Sequence, residues 1–372
     1  MKKMKEEEVV ISILTVQGLV QGVGFRPFIY RIANEMGICG EVDNRNNGVC
    51  IRAVLTLGQR ELFIERIRRE HPVVASIHRI TVSERIEAKN PYTDFRITPS
   101  HSESDEVTQV APDIAVCPEC LRDRKTQPHR LQYPFINCTH CGPRFSIIRD
   151  LPYDRGQTTM SAFPMCPACR KEYTTVSDRR FHAEPVACNH CGPSYYTLYN
   201  KVKVTDYPEL LDLSSRLLRE GEVIAAKGIG GYHLICDAKN EKAVSRLREI
   251  KQRDGKPFAV LFRDMENIRR YVFLNEVEEE SLLSWRRPIV LLKQRRPLAP
   301  SINPGMETLG CMLPYMPIHF DWFERLDTPA LVMTSGNLSE YPIAITPEEA
   351  EKQLAGKIPL LLHHNRDIHN RV

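Results

Sequence analysis

Eight of the chain's twelve cysteines occur in four Cys-x-x-Cys pairs. The pairs are Cys117/Cys120, Cys138/Cys141, Cys166/Cys169 and Cys188/Cys191. Two such pairs supply four thiolates, the tetrahedral set that structural zinc prefers. The stretch CPEC…NCTHCGPRF recurs as CPAC…ACNHCGPSY, so one sequence unit occurs twice. This repeat favours one metal site formed by the first two pairs and a second site formed by the last two pairs. We expect two structural Zn²⁺ sites, with rubredoxin-like iron as the main competing metal.

The other cysteines and the histidines near the pairs have less distinctive patterns. His140 and His190 lie inside their knuckles and are alternative ligands, although we expect them outside the ligand sets. Cys39, Cys50, Cys236 and Cys311 are scattered and are expected to be buried apolar side chains. Paired cysteines in a chain of this size indicate metal binding rather than a disulfide framework.

The stretch QGVGFRPF (Gln21–Phe28) is a candidate anion site. Its loop, Gln21, Gly22, Val23, Gly24 and Phe25, lies between a predicted strand and a predicted helix, where backbone N–H groups suit an anion. Arg26 adds a guanidinium, and Asn44, after another predicted strand, would orient a water beside the anion. A plain tight turn with a surface arginine, and an ordinary turn asparagine, explain the same spacing.

Two later stretches carry groups that suit a polyphosphate. KQRDGKPF places Lys251, Arg253 and Lys256 around a predicted helix end, and TSGN places Ser335 and Asn337 after a predicted strand. Three cations at a helix end are also typical of a solvated surface, so spacing alone leaves both interpretations open.

The elements that position these residues follow from hydrophobic patterns. Residues 1–99 are predicted to form a strand (9–20), a helix (28–36), two strands around the turn at Asn46–Gly48, a helix (58–70) and further strands. The order β-α-β-β-α-β is the ferredoxin-like pattern. SHSESDE (residues 100–106) is predicted to be a linker, residues 107–193 form the cysteine-rich region, and α/β patterns return from residue 195.

Length and charge limit the function classes. At 372 residues the chain suits two or three domains. Its net charge of +4 does not demand nucleic acid. The apolar run after MKKMKEEE is shorter than the ~20 residues of a membrane span. We expect a soluble, cytoplasmic protein without membrane association.

GLVQGVGFRPF, together with Asn44, resembles the acylphosphatase signature. The resemblance implies that Arg26 and the backbone of Gln21–Phe25 bind a phosphate and that Asn44 positions the attacking water. Glu41 departs from the pattern, because acylphosphatases usually carry an aromatic residue there.

The whole chain resembles the N-terminal half of the HypF family, the carbamoyltransferases of [NiFe]-hydrogenase maturation. The resemblance rests on the duplicated cysteine block with GIGGYHLICDA, KQRDGKPFAVL, LGCMLPYMPIH and TSGNLSEYPI. It implies an α/β multidomain protein: a ferredoxin-like βαββαβ acylphosphatase domain (1–99), a tandem four-cysteine zinc-finger region (107–193), and a YrdC-like ATP-binding domain with a twisted open sheet (195–372), incomplete at its C-terminal end.

The resemblance also implies a reaction sequence. Carbamoyl phosphate would be hydrolysed at Arg26 and Asn44, and ATP with Mg²⁺ would convert the carbamate to carbamoyl-AMP. Lys251 and Arg253 match the family's Lys-x-Arg motif, Ser335 and Asn337 match its Ser-x-Asn motif, and Lys256 is expected to assist. Family members transfer the carbamoyl group to a partner's C-terminal cysteine with a further domain, so we expect only the first two steps here.

Two other functions fit parts of the sequence. An RNA-binding zinc protein, or weak RNA binding beside the enzyme activity, predicts association that weakens steeply with salt. An acylphosphatase fused to a tRNA threonylcarbamoyl-adenylate synthase predicts threonine-dependent use of ATP.

Overall fold

A computed structural model describes residues 9–101, 108–252, 255–338 and 341–372. The chain forms two compact units. Unit 1 holds the described residues up to 112 with segments 137–140 and 148–186, and unit 2 holds 113–136, 141–147 and 187–372. Most of the predicted linker, residues 102–106, lies outside the described residues. The three module boundaries stay predictions.

Unit 1 contains a five-stranded sheet with two helices packed on it. Its strand order is β4-β1-β3-β2-β5, and the pairs are antiparallel except for β2 with β5. The element order of β1 to β4 is βαββαβ, which confirms the predicted ferredoxin-like pattern. The bounds are β1 Val9–Leu19, α1 Phe25–Glu35, β2 Cys39–Arg45, β3 Gly48–Val54, α2 Leu57–Glu70, β4 Ser76–Glu87 and β5 Phe95–Ile97.

The apolar faces of α1 and β1 explain how these elements are fixed. On α1, Phe25, Phe28 and Ile32 are buried at helical spacing, which fixes the start of the helix. On β1, Leu14 and Val16 are buried on one face, as the two-residue period of a strand requires. The turn between β1 and α1 is therefore held at both ends.

The cysteine-rich region forms two short helices with the same start. Helix α3 spans Pro118–Thr126 and helix α4 spans Pro167–Thr174. In each, the first cysteine of a pair is the N-cap and a proline is the first helical residue, where its missing N–H costs no hydrogen bond. Cys117 Sγ also accepts from the Cys120 N–H at 3.4 Å. The Cys-Pro sequence thus begins a helix and places the second cysteine of the pair on its first turn.

Unit 2 contains a nine-stranded mixed sheet in the order β11-β12-β10-β13-β9-β8-β14-β6-β7. The pairs β10–β12 and β8–β14 are parallel, and the others are antiparallel. This agrees with the predicted α/β sheet. The strands are β6 Tyr195–Tyr199, β7 Val202–Val204, β8 Ile224–Lys227, β9 Tyr232–Asp237, β10 Ala259–Phe262, β11 Val290–Lys293, β12 Thr308–Met312, β13 Ala330–Ser335 and β14 Leu361–His364.

Besides α3, the described part of unit 2 contains six α-helices: α5 Tyr207–Arg219, α6 Glu241–Lys251, α7 Met265–Tyr271, α8 Glu276–Leu283, α9 Pro317–Arg325 and α10 Pro347–Leu354. Helix α6 buries Val244 and Leu247 in the same apolar core as Leu234 of β9 and Val332 of β13. The last residue of α6 is Lys251, so this packing fixes where Lys251 lies.

Among the described residues, no helix combines the length and apolar character needed to cross a bilayer.

Candidate active sites and metal centres

The glycine-rich stretch forms a tight turn that opens directly into α1. Gly22 has φ 72° and Gly24 has φ 76°, both in the left-handed region that favours glycine. Gly24 is the N-cap of α1, and its carbonyl accepts from the Phe28 N–H at 3.1 Å. The first N–H groups of α1 therefore follow the loop directly, as an anion cradle requires.

Arg26 is buried in the first turn of α1 and is held by two carboxylates. Its Nη2 donates to Asp154 Oδ1 at 3.0 Å and to Glu184 Oε1 at 2.8 Å, and its Nη1 donates to Ser100 Oγ at 3.5 Å. Burial alone would lower the pKa of Arg26, but the charges of the two carboxylates outweigh it and raise this pKa above its ordinary value. The guanidinium is thus fixed in place and charged.

Glu184 is the acceptor for donors from three residues. Besides Arg26, the Tyr173 hydroxyl donates to its two oxygens at 3.0 and 3.2 Å, and the Arg155 N–H donates to Oε2 at 3.0 Å. Burial raises the pKa of the Glu184 carboxyl and outweighs the opposing charge of Arg26, so this pKa lies above its ordinary value. Asp154 and Glu184 were missed by the sequence reasoning, because nothing in spacing links residues 128 and 158 positions from Arg26.

Asn44 lies inside β2, next to its last residue, rather than after the strand as predicted. One of its side-chain atoms is an unused acceptor among the described residues. Its Nδ2 donates to the Tyr153 carbonyl at 3.4 Å, and the residue is 2 % exposed. Its Oδ1 is buried and has no hydrogen-bond partner among the described residues. Such a buried acceptor suits a bound water.

Gln21 connects the loop to the surroundings of Asn44. Its Nε2 donates to the carbonyls of Arg45 and Gly48 at 2.6 and 2.9 Å, while its Oε1 accepts from the Tyr153 N–H at 2.9 Å. Gln21 therefore binds both the β2–β3 turn and the residue that holds Asn44. It orients the loop through its side chain.

The second knuckle of the first finger lies against this loop. A Cβ placed on Gly24 would lie 3.4 Å from side-chain atoms of both Thr139 and His140. These are ordinary van der Waals distances, so the positive φ of Gly24, and not the space around it, is what favours glycine at this position.

The eight paired cysteines form the two predicted groups. Within each group the four sulfur atoms lie within 4.8 Å of one another. The Cys120–Cys141 and Cys188–Cys191 sulfur separations are 3.6 and 3.8 Å, close to the ~3.8 Å between sulfurs on a tetrahedral zinc. The donor set fits Zn²⁺, which when bound would cross-link the knuckles. The groups are Cys117, Cys120, Cys138, Cys141 and Cys166, Cys169, Cys188, Cys191.

The other cysteines and the two nearby histidines agree with the predictions in all but one respect. His140 and His190 are exposed and belong to neither group. Cys50, Cys236 and Cys311 are buried, and burial raises the pKa of Cys311 to about 12, so its thiol stays protonated. Cys39 was wrongly predicted to be buried. It begins β2 and is only half-buried.

In unit 2, the end of α6 meets the end of β13. Lys251 Nζ donates to Ser335 at its carbonyl oxygen (2.6 Å) and Oγ (3.2 Å), and to Asn337 Oδ1 at 2.9 Å. Lys251 is 3 % exposed. Three of the five predicted nucleotide residues are therefore in direct contact. Arg253 lies outside the described residues.

A cavity of about 530 Å³ borders this cluster, a volume typical of small-molecule sites. Lys256, the fifth predicted residue, lines it together with Ser335. His233 also lines it, and burial, assisted by the charge of Lys251, lowers its pKa to about 4, so it is neutral at pH 7. His233 was not predicted, although it lies in the quoted GIGGYHLICDA stretch. Apolar lining comes from Phe258, Ile289 and Met333.

Three family models match the chain. An acylphosphatase model matches residues 13–97, the HypF finger model matches 116–148 and 165–198, and the Sua5/YciO/YrdC model, described as telomere recombination, matches 216–372. Together they contain Arg26, Asn44, the Lys251 cluster and all eight paired cysteines.

Relatives match the same residues at high identity. The carbamoyltransferase HypF of Rhodobacter capsulatus is 42% identical over 96% of this chain and 47% of its own length. The crystal structure of full-length HypF in its phosphate- and nucleotide-bound form is 44% identical, with a TM-score of 0.91, and matches 100% of this chain and 48% of that one. The crystal structure of T. kodakarensis HypF is 41% identical, with a TM-score of 0.86, over 97% of this chain and 46% of that one.

The chain spans about half the length of the curated HypF relatives that it matches. Within that span the acylphosphatase, finger and Sua5/YrdC regions follow one another in this order along the chain. Over the residues it contains, this chain belongs to the HypF family.

Proposed function

We propose that this chain hydrolyses carbamoyl phosphate to carbamate and then forms carbamoyl-AMP from the carbamate and ATP. The supporting observation is that one chain, matching a HypF carbamoyltransferase over 96% of its length, contains both the Arg26 loop and the Lys251 cluster. The two steps use the same intermediate, which explains their presence in one polypeptide.

The first step takes place at the Gln21–Phe25 loop. Backbone N–H groups at the start of α1 bind the phosphoryl oxygens, and Arg26 contributes the N–H donors that its partners leave free. Asp154, Glu184 and Ser100 use three of the five guanidinium hydrogens, so two have no partner among the described residues and are proposed to bind the substrate. The loop thereby neutralises the charge that develops on the phosphoryl group.

Asn44 positions the attacking water through its buried Oδ1 acceptor. The water oxygen attacks phosphorus, the bond from phosphorus to the carbamoyl oxygen breaks, and carbamate leaves with inorganic phosphate as the other product. Catalysis here is mainly positioning and electrostatic stabilisation, since phosphoryl transfer needs little covalent participation by the protein.

The second step takes place in the unit 2 cavity. A carbamate oxygen attacks the α-phosphorus of ATP, the bond to the β-phosphate bridging oxygen breaks, and pyrophosphate leaves. Lys251, already oriented by Ser335 and Asn337, stabilises the charge that builds on the leaving pyrophosphate. Arg253 and Lys256 are proposed to assist, and Mg²⁺ would accompany the nucleotide.

We further propose that the carbamoyl group then goes to the C-terminal cysteine of a hydrogenase-maturation partner. The relatives are called carbamoyltransferases and are about twice as long as this chain, so the final transfer is assigned to the part of those proteins that this chain does not span.

The test is a phosphorus NMR time course with carbamoyl phosphate, ATP and Mg²⁺. We expect phosphate, AMP and pyrophosphate from the wild-type chain without added threonine. Arg26→Ala should abolish phosphate release in a folded protein. AMP formation that requires threonine would favour a threonylcarbamoyl-adenylate synthase, and a folded chain that gives neither phosphate nor AMP would refute the proposal.

A further inference from the structure

Arg287 lines the same cavity as Ser335 but has no assigned role. It follows α8 in the sequence SWRRP and lies just before β11. Its Nη1 donates to the Leu282 carbonyl at 3.0 Å. Its Nε is buried and has no hydrogen-bond partner among the described residues, and none of their carboxylates forms an ion pair with its guanidinium.

Arg124 and Arg26 show how carboxylates compensate a guanidinium that is removed from water. Arg124 pairs with both oxygens of Asp321 at 2.7 Å, and Arg26 pairs with Glu184 and Asp154. Such pairs offset the cost of desolvating the charge. Arg287 is only partly buried, but its Nε is buried, and no carboxylate among the described residues pairs with it. Its smaller desolvation cost is therefore offset only by the hydrogen bond to the Leu282 carbonyl.

The backbone conformation at Arg287 is also energetically unfavourable. Its φ is 45°, in the left-handed region that glycine or asparagine adopts readily and that other residues adopt at a cost. Strained residues of this kind concentrate at functional sites. An arginine at this position therefore lowers folding stability, which indicates that its side chain serves a function other than folding.

The unused donors of Arg287 suit an oxyanion. Ser335, which Lys251 contacts, and Lys256 line the same cavity, so the cation borders a space that already contains anion-binding groups. A guanidinium gives planar, two-pronged recognition of phosphate or carboxylate groups, which a lysine cannot reproduce.

We propose that Arg287 binds an oxyanion in this cavity, either a phosphate group of ATP or the carboxylate end of carbamate. The identity of these two ligands rests on the proposed function, whereas the oxyanion site rests on the geometry around Arg287.

The test compares Arg287→Asn with Arg286→Gln. Asparagine tolerates a positive φ, so Arg287→Asn removes the guanidinium without adding backbone strain. Arg286 is the adjacent, exposed arginine, whose guanidinium lies 4.3 Å from the ring centre of Trp285, and it does not line the cavity. Thermal melting of both variants checks that each is folded.

The first readout is binding of inorganic pyrophosphate by titration calorimetry, which does not require turnover. Loss of a charge-assisted contact predicts roughly 10- to 100-fold weaker binding in Arg287→Asn and unchanged binding in Arg286→Gln. This result would support the phosphate assignment.

The second readout is AMP formation as a function of carbamoyl phosphate concentration. Unchanged pyrophosphate binding with a KM raised about tenfold or more would assign Arg287 to the carbamate end. The inference is overturned if pyrophosphate binding is unchanged in Arg287→Asn and, in addition, either KM is unchanged or no AMP forms. A wild-type chain that binds pyrophosphate through Arg287 but forms no AMP would refute the proposed function and leave the oxyanion site standing.

Discussion

Arg26 Nη2 and Glu184 Oε1 lie 2.8 Å apart, and both side chains are almost completely buried, 8 % and 2 % exposed. The residues are 158 positions apart in the sequence and within the same compact unit. An arginine expected to bind phosphate is thus fixed by a carboxylate from the cysteine-rich region. The pair couples the catalytic loop to the stability of that region.

Glu184→Ala should lower the free energy of unfolding of unit 1 by about 3 kcal/mol, because it leaves a buried guanidinium short of a partner. Asp154→Ala is the matched comparison and should cost about 1 kcal/mol or less, since the Asp154 side chain is one-third exposed. Native-state hydrogen exchange of the α1 amides measures both. Equal costs for the two variants would show that burial does not set the strength of these pairs.

Gly24→Ala should slow phosphate release, although it should lower the free energy of unfolding no more than a control substitution does. Gly37→Ala is the control, because Gly37 also has positive φ, 63°, yet has open space around it. Both substitutions should cost about 1 kcal/mol of stability through backbone strain. Only Gly24→Ala should slow hydrolysis of carbamoyl phosphate, since Gly24 is the N-cap that joins the loop to α1 and backbone strain there acts on the loop, whereas Gly37 follows the other end of the helix. Equal activity in the two variants would remove Gly24 from the cradle.

Local patterns predicted most of the fold. The predicted helix over 58–70 is observed over Leu57–Glu70, and the predicted turn at Asn46–Gly48 joins β2 and β3. These elements depend on short-range periodicity and turn chemistry, which a single sequence displays directly. The start of α1 was placed three residues late, because the loop glycines obscured that Phe25 already packs in the core.

The partners of the site residues were harder to predict. Contacts such as Lys251 with Asn337 join residues 86 positions apart, and they were anticipated only because both stretches resemble family motifs. Glu184 and Arg287 carry no local signal. Glu184 depends on long-range packing, and the feature that distinguishes Arg287, a positive φ without a carboxylate partner among the described residues, exists only in three dimensions.

Lys251→Ala should separate the two chemical steps. Lys251 contacts Ser335 and Asn337, and loss of its charge should lower AMP formation by about 100-fold. Phosphate release should continue, because that step uses residues of unit 1. Lys242→Ala is the control, since Lys242 is exposed on the same helix. The phosphorus NMR assay gives both rates at once, and a parallel fall in the two rates would contradict separate sites.

Substituting a paired cysteine should remove one zinc ion without removing the other. Plasma mass spectrometry should find about two zinc atoms per wild-type chain and about one in either Cys138→Ser or Cys188→Ser, because each variant breaks one four-sulfur group. Cys39→Ser should retain both, since Cys39 belongs to neither group. Iron in place of zinc, or one metal atom in the wild type, would contradict this prediction.

Unit 2 should lose stability as the pH falls from about 6.5 towards 4. Burial lowers the pKa of His319 to about 3, and burial lowers that of His363 to about 4. An unfolded chain has its histidine pKa near ~6.5, so between these values the unfolded state binds more protons than the folded state. Stability therefore rises with pH across this window, and the contribution is complete above the unfolded pKa.

His319→Gln isolates one of these groups. His319 stacks on Trp322, with ring centres 6.0 Å apart, so tryptophan fluorescence during urea unfolding reports from its immediate surroundings. Between about pH 4.5 and 5.5 the wild-type free energy of unfolding should change with pH more steeply than that of the variant, by about 1.4 kcal/mol per pH unit for one proton. Metal loss at low pH affects both proteins equally and cancels in the difference. Parallel curves would mean that His319 is protonated in the folded state, in conflict with its burial beside Trp322.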